Sequence, residues 1–419
     1  MTIMSLHIIC ASSRLAKCIQ SRDGFRSIDL LYGCHCRRLG SNSTPKKYFD
    51  HDIDVSSIPF RSVLYVPASN TRALDKVTKI LSSTDPSERS MRPDAIMYDL
   101  EDGVHPTTKE EARNKLYEYL QKGSTAAETT TAAMNNYFGL LRINRSDTTW
   151  FNEDASFALD MMLDDTINIH GVVLPKIEGC RDVDSVARHF HSLVGPSFGE
   201  RDNSTTPPLT SSSASDDYDE SVVSPVPLWA MIETPRAILS ASEIARQANV
   251  QGLILGTNDL SKELRLRSST TMATRDSSST PSSSIPRIGL QTSLQHTILA
   301  ARAHNKIVID GVYNNIASDN DNVEKFRREC LQGKELGMDG KTLIHPNQIH
   351  STNEIFAPSN EEIDYARQVV ACWEKAIADH SKSGRSFTGV AVLDGMMIEE
   401  LHVDTARQLL EQAKKIHSM

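Results

Sequence analysis

Apolar residues in this chain come as short runs, rich in branched side chains, separated by longer stretches in which they recur every three or four positions. The first kind of run reads as a strand buried on both faces, the second as a helix with one covered side. Eight such strands are predicted, at 62–66, 95–99, 140–143, 171–175, 228–232, 252–256, 306–310 and 341–344. Stretches such as 107–120 and 237–247 have the length and the stripe of intervening helices. Eight strand and helix units in about 300 residues match a (β/α)8 TIM barrel of the α/β class better than a doubly wound sheet, which has fewer strands and a glycine-rich first turn. No Gly-x-Gly-x-x-Gly follows the first strand, so a dinucleotide site loses its main support.

The barrel is accordingly set at 58–357. Three stretches near 123–136, 199–225 and 268–286 interrupt it; all are rich in Ser, Thr or Pro and are expected to be disordered surface loops. From 358 to 419 the pattern turns helical. Residues 361–378 place Ile363, Ala366, Val370, Trp373 and Ile377 on one stripe, a non-helical piece follows at 389–397, and a last helix runs from about 404 to 417. So short an extension is expected to lack an independent core and to pack on the barrel or on a neighbouring copy.

Charge narrows the partners. A net charge of −9 with no long basic run argues against nucleic acid, and no apolar run approaches the roughly 20 residues of a membrane span. Residues 1–50 differ from the rest, with eight cations (Arg14, Lys17, Arg22, Arg26, Arg37, Arg38, Lys46, Lys47) against three acids (Asp23, Asp29, Asp50). That balance fits a mitochondrial transit peptide and a matrix protein; a disordered cytoplasmic tail is the alternative. Cys10, Cys18, Cys34 and Cys36 crowd into this leader, which is no disulfide framework, and Cys34-His35-Cys36 has no second ligand pair at zinc spacing.

Barrel enzymes carry their chemistry at the carboxyl ends of the strands. There the fifth and sixth strands run into Glu233 and Asp259, 26 residues apart, about one strand, helix and strand repeat. Two carboxylates on neighbouring tips suit Mg²⁺, a hard ion that keeps waters or substrate oxygens; a helix cap or loop anchor is the alternative for either acid alone. The other ends deliver Asp99, Glu101 and Asp102, then Arg142 and Asn144, then Lys176, and finally Asp310 and His345. Asp99, Glu101 and Asp102 are expected behind the metal, ordering its waters and orienting cations, unless they only cap the loop before the next helix. Arg142 suits a substrate carboxylate through its planar fork, unless it pairs with Glu101 or Asp102. Arg142, Asn144, Lys176 and Glu233 are the candidate substrate contacts.

Several ordered motifs carry a resemblance across most of residues 61–413: Arg61-Ser-Val-Leu-Tyr-Val-Pro67, Asp99-Leu-Glu-Asp-Gly-Val104, Glu111-Ala-Arg113, Leu141-Arg142-Ile-Asn144, Leu174-Pro-Lys176-Ile-Glu178, Ile232-Glu233-Thr234, Gly256-Thr-Asn-Asp259-Leu260 and Gly340-Lys-Thr-Leu-Ile-His345-Pro-Asn-Gln-Ile349. The chain resembles the citrate lyase beta-subunit-like proteins, in the group of aldolase-like barrels that includes malyl-CoA and citramalyl-CoA lyases. The resemblance implies a magnesium-dependent carbon–carbon lyase that splits a β-hydroxyacyl-CoA into an acyl-CoA and a keto acid, glyoxylate or pyruvate, or runs the reverse condensation. It implies Mg²⁺ on Glu233 and Asp259 and the keto-acid carboxylate on Arg142. In CoA-dependent relatives an Asp of a Met-Ile-Asp segment near the carboxyl terminus reaches a neighbouring subunit's site as the acid or base. Here the match is Met397-Ile398-Glu399, so Glu399 takes that place one methylene longer and the tail 358–419 would complete a neighbouring site, in a trimer or hexamer. If Glu399 merely opens the last helix, two other readings gain: a metal aldolase acting on free hydroxy-keto acids, and a non-catalytic citrate lyase beta-like subunit.

Overall fold

Each of the eight short runs forms a strand, and each strand pairs in parallel with its successor until the last returns to the first, closing a barrel. The strands are β1 (Ser62–Pro67), β2 (Ala95–Asp99), β3 (Phe138–Arg142), β4 (Gly171–Leu174), β5 (Leu228–Ile232), β6 (Val250–Leu255), β7 (Ile307–Asp310) and β8 (Gly340–Leu343). This computed structural model describes residues 55, 58–83, 85, 90–125, 137–164, 166–194, 226–266, 287–382 and 389–418. The basic leader and most of the three inserted stretches fall outside them, although 123–125 close the helix Lys109–Thr125 rather than opening a loop. Among the described residues, no helix is long and apolar enough to cross a membrane.

The period of two along a strand sorts the core. Val63, Ala95, Met97, Phe138, Leu140, Val173, Trp229, Met231, Ile254 and Ile309 fill the barrel, while the alternate positions pack under the outer helices. Phe60 lies 5.1 Å from both Phe138 and Trp229, ring centre to ring centre, and this aromatic group plugs the lower end of the barrel. The plug leaves only the carboxyl-end mouth for chemistry.

One outward position is ionic. Lys341 of β8 is fully buried, and its ammonium donates to Asp310 (2.9 Å), Glu329 (2.8 Å) and the Gly311 carbonyl (2.6 Å). Arg287 reaches the other oxygen of Asp310 at 2.6 Å. Two cations thus answer two acids between the barrel and the helix Asn320–Leu336, so no buried charge is left unpaired. Asp310, expected at the mouth, faces away from it; its neighbour Ile309 takes the inward position.

The predicted helix at 237–247 is two helices, Pro235–Leu239 and Ala241–Arg246, meeting at Ser240. It starts early because Thr234 accepts the Ala237 N–H and Pro235 occupies the first turn, a position that has no use for its missing N–H. The tail differs more. Its non-helical piece is a hairpin, Ala391–Leu393 against Met396–Ile398, turned at Asp394 and Gly395, both with positive φ, and the last helix starts at Glu400. With the helix Asn360–Lys382 these elements form a small core of their own: Ala366, Val369, Trp373, Ala391, Ile398, Val403 and Ala406. An independent core was not expected from so few residues; a hairpin packed with two amphipathic helices supplies it. Val392, Met396, Met397 and Leu401 nevertheless stay more than half exposed.

Candidate active site

Continuing the inward alternation past the apolar core leads to charge. Asp99 follows Met97 by two, Arg142 follows Leu140, Glu233 follows Met231 and Tyr65 follows Val63, so all four reach the mouth. Asp99 and Arg142 are register partners at the tips of β2 and β3. Asp99 accepts Arg142 Nε and Nη2, each at 2.8 Å, and also the backbone N–H groups of Glu101 and Gly103 at 2.8 Å. Gly103 is required there, since a Cβ would lie 2.4 Å from the Asp99 carboxylate. Burial pushes the Asp99 carboxyl up, but Arg142 and the two N–H groups outweigh it and hold it below the usual range.

The third nitrogen of Arg142, Nη1, lies 2.9 Å from Glu101 and 3.7 Å from the Met231 sulfur, with the guanidinium over the Tyr65 ring. Asp99 therefore takes the two-pronged edge expected for substrate, and Nη1 is shared between Glu101 and the Met231 sulfur. Of the two alternative partners Arg142 meets Glu101; Asp102 is exposed and, among the described residues, its carboxylate pairs with the Lys176 ammonium at 3.3 Å. Lys176 also donates to Glu101 at 2.8 Å. Burial raises the Glu101 carboxyl despite these two cations, and Glu101 and Asp102 hold the Lys176 ammonium above its ordinary value against burial.

Glu233 stands one residue beyond β5 and is buried. Its Oε1 accepts the Lys176 backbone N–H at 2.6 Å, and its Oε2 faces Gly256, where a Cβ would come within 2.7 Å. Burial pushes this carboxyl up to about 7, with Glu101 and Asp259 adding to the effect and the Lys176 N–H opposing it. Asp259 is not on a strand tip. It lies in the first turn of the helix Thr257–Glu263, which begins two residues after β6 ends.

Two expected site residues lie elsewhere. The Asn144 side chain is consumed as a brace: its amide donates to Asp154 and to the Leu100 carbonyl (2.9 Å), and its oxygen accepts Lys109 Nζ at 2.8 Å. Both amide protons are thereby spent and the oxygen already serves a lysine. Glu399 sits on the tail, where its backbone N–H donates to His402 Nδ1 at 3.0 Å; among the described residues, no hydrogen bond or ion pair joins its side chain to the barrel. Sequence reasoning missed Tyr65, Lys109, Arg113 and Met231. Lys109 uses its buried ammonium on the carbonyls of Leu100 and Glu101, fixing the acidic turn, and Arg113 holds Asp154 at 2.7 Å. The signal for Tyr65 and Met231 was their place in the inward alternation; Arg113 stood in the motif Glu111-Ala-Arg113, and for Lys109, four residues before it on one helix, there was only spacing.

The charges at this mouth do not balance. Among the described residues, five acids, Asp99, Glu101, Asp102, Glu233 and Asp259, face three cations, Arg142, Lys176 and the buried Lys109. A surplus of carboxylate, one of them buried with its pKa pushed to about 7, is the environment a divalent cation relieves. Among the described residues, no three His, Cys, Asp or Glu side chains form a closed cage. An all-oxygen pair on an open site fits a hard ion such as Mg²⁺.

Residues 61–346 match the family model described as HpcH/HpaI aldolase/citrate lyase. The (3S)-malyl-CoA thioesterase of Cereibacter sphaeroides is 35% identical over 358 residues, covering 85% of this chain and 96% of that one. The citrate lyase subunit beta of Escherichia coli is 28% identical over 355 residues, covering 84% and 93%. Among solved structures, protein CitE of Mycobacterium tuberculosis in complex with magnesium, acetoacetate and coenzyme A has the same fold, with a TM-score of 0.52 at 23% identity over 84% of this chain and 97% of that one.

Proposed function

This chain belongs to the HpcH/HpaI aldolase/citrate lyase family, and from that premise we propose that its barrel mouth is the active site of a magnesium-dependent carbon–carbon lyase. The substrate is a β-hydroxyacyl-CoA of the malyl or citramalyl type, cleaved to an acyl-CoA and glyoxylate or pyruvate, or formed from them. The observation that carries this reading is Glu233, a buried carboxylate with one oxygen fixed by a backbone N–H and the other beside Gly256, three residues before Asp259, whose charge it feels. Relatives named for malyl-CoA and citrate support the substrate class.

Glu233 and Asp259 would hold the ion. When bound, Mg²⁺ lowers the pKa of the substrate hydroxyl and offsets charge as the carbon–carbon bond breaks. Arg142 presents Nη1 to the keto-acid carboxylate while Asp99 keeps the guanidinium from turning. Glu101, between Arg142 and Lys176, spaces the two cations, and Lys176 at the rim attracts the anionic thioester. The acyl carbon that leaves with the bonding pair needs a proton. Glu399 of a neighbouring copy supplies it in this reading; the exposed Val392, Met396, Met397 and Leu401 beside it are the surface a second copy would cover, in a trimer or hexamer. The basic leader supports a mitochondrial location.

A second reading is hydrolysis of the thioester, favoured by the 35% identity to a malyl-CoA thioesterase. One assay separates the two. Purified protein with malyl-CoA or citramalyl-CoA and Mg²⁺ is expected to release a keto acid, trapped as its hydrazone, without free thiol, and to stop with EDTA. Free CoA with malate or citramalate would establish the thioesterase, and turnover indifferent to EDTA would refute the metal site.

A further inference from the structure

Among the described residues of the mouth, Lys176 alone stands in the left-handed region, with φ of 51°. A side chain with a Cβ is disfavoured there, and a glycine is not. The conformation follows the end of β4 and Pro175, and it precedes a turn whose Glu178 and Gly179 N–H groups are both held by Asp182, at 2.8 and 3.1 Å. Strand end and turn thus fix the backbone on both sides of Lys176. The N–H so directed meets Glu233 Oε1 at 2.6 Å. On the opposite side the missing side chain of Gly256 makes room for Glu233, since a Cβ there would lie 2.4 Å from Glu233 Cβ and 2.7 Å from Oε2. The carboxylate is therefore held from β4 and fits against the end of β6, with Oε2 beside Gly256, the residue that caps the helix carrying Asp259.

We propose that Lys176 is a positioning residue for the metal carboxylate: its left-handed backbone, not its ammonium, aims the N–H that fixes Glu233 Oε1 and presents Oε2 to a divalent cation shared with Asp259. The inference rests on the magnesium-lyase reading above. Unfavourable backbone conformations persist where the surroundings over-determine them, and they concentrate at functional sites. A lysine rather than a glycine stands here because the same residue also serves Glu101 and Asp102 through its side chain.

The test compares variants that all lack the ammonium and differ only in their tolerance of positive φ, read by calorimetric titration of magnesium chloride into the metal-free full-length protein and by thermal melting. Lys176→Gly is expected to bind magnesium within about threefold of wild type and to melt no lower. Lys176→Val, branched and poorly accommodated at this φ, is expected to bind at least about tenfold more weakly, the scale of a lost hydrogen bond to a charged group. Should Lys176→Val not fold, Lys176→Ala takes its place and is expected to bind more weakly than Lys176→Gly. Equal affinity of Val (or Ala) and Gly variants overturns the inference, as does a tenfold loss in Lys176→Gly, which would assign the effect to the ammonium. A wild-type protein that binds no magnesium would instead refute the functional reading.

Discussion

Asp99 grips Arg142 through both carboxylate oxygens, at 2.8 Å each, and by doing so turns Nη1 to Glu101 and the Met231 sulfur. Replacing Asp99 by Asn leaves a buried arginine with one acceptor fewer. Loss of a partner in a buried pair costs about 3 kcal/mol, so the Asp99→Asn protein should show a lower denaturant midpoint. Its KM for the keto acid in the condensation direction should rise roughly tenfold, because the fork is no longer held. An unchanged KM in a folded variant would show that Arg142 does not meet the keto acid.

Glu233→Gln and Asp259→Asn should each lower turnover by about two orders of magnitude or more, since metal-offset charge is worth several kcal/mol in the transition state. Both should also weaken magnesium binding in calorimetry. A variant that binds magnesium like wild type would identify the wrong acid.

Acidity at Glu233 makes a separate prediction. Its carboxyl stands at about 7 in the metal-free protein against an ordinary 4.5, chiefly through burial. The folded state therefore holds a proton that the unfolded state releases. This group's contribution to stability is fully present below pH about 4.5 and is lost as pH rises through about 7. Magnesium must displace that proton, so its apparent affinity should climb with pH up to about 7 and level off above. Calorimetry in two buffers of different ionisation enthalpy should show close to one proton released per ion near pH 6, and no release there would contradict the burial argument.

If the tail serves a neighbour, two inactive proteins should rescue each other. Glu399→Gln keeps its barrel and Glu233→Gln keeps its tail, so unfolding and refolding them together should restore activity to about a quarter of the sites, the yield of random mixing in a closed ring. Mixtures no more active than their parents would place Glu399 outside catalysis.

The strands were legible because a sheet buried on both faces writes its length directly as branched apolar runs, and each of the eight was met. The acids of the mouth were legible because they follow those runs at once. Facing was harder. Asp310 and Arg142 both end a strand, yet one turns out and the other in, because side-chain direction flips with each residue and a run of four or five buried positions does not mark its own phase. Asn144 looked like a ligand only because its partners, Lys109 and Asp154, come from helices 35 and 10 residues away along the chain. The tail's core depended on a hairpin too short to show alternation, three residues a side.

The buried lysine of β8 bears on how the barrel shuts. β8 must find both β7 and β1, and its own residues Gly340, Lys341, Thr342 and Leu343 offer little apolar pattern to choose a register. A slip by one residue would swing Lys341 into the greasy interior, away from Asp310 and Glu329, and would leave those two acids to Arg287. The ion cluster thus acts as a proofreading latch on the last seam: a misregistered ring is penalised far more heavily than a missing methyl group would be, and the mouth, whose parts come from six different strands, is assembled in one alignment.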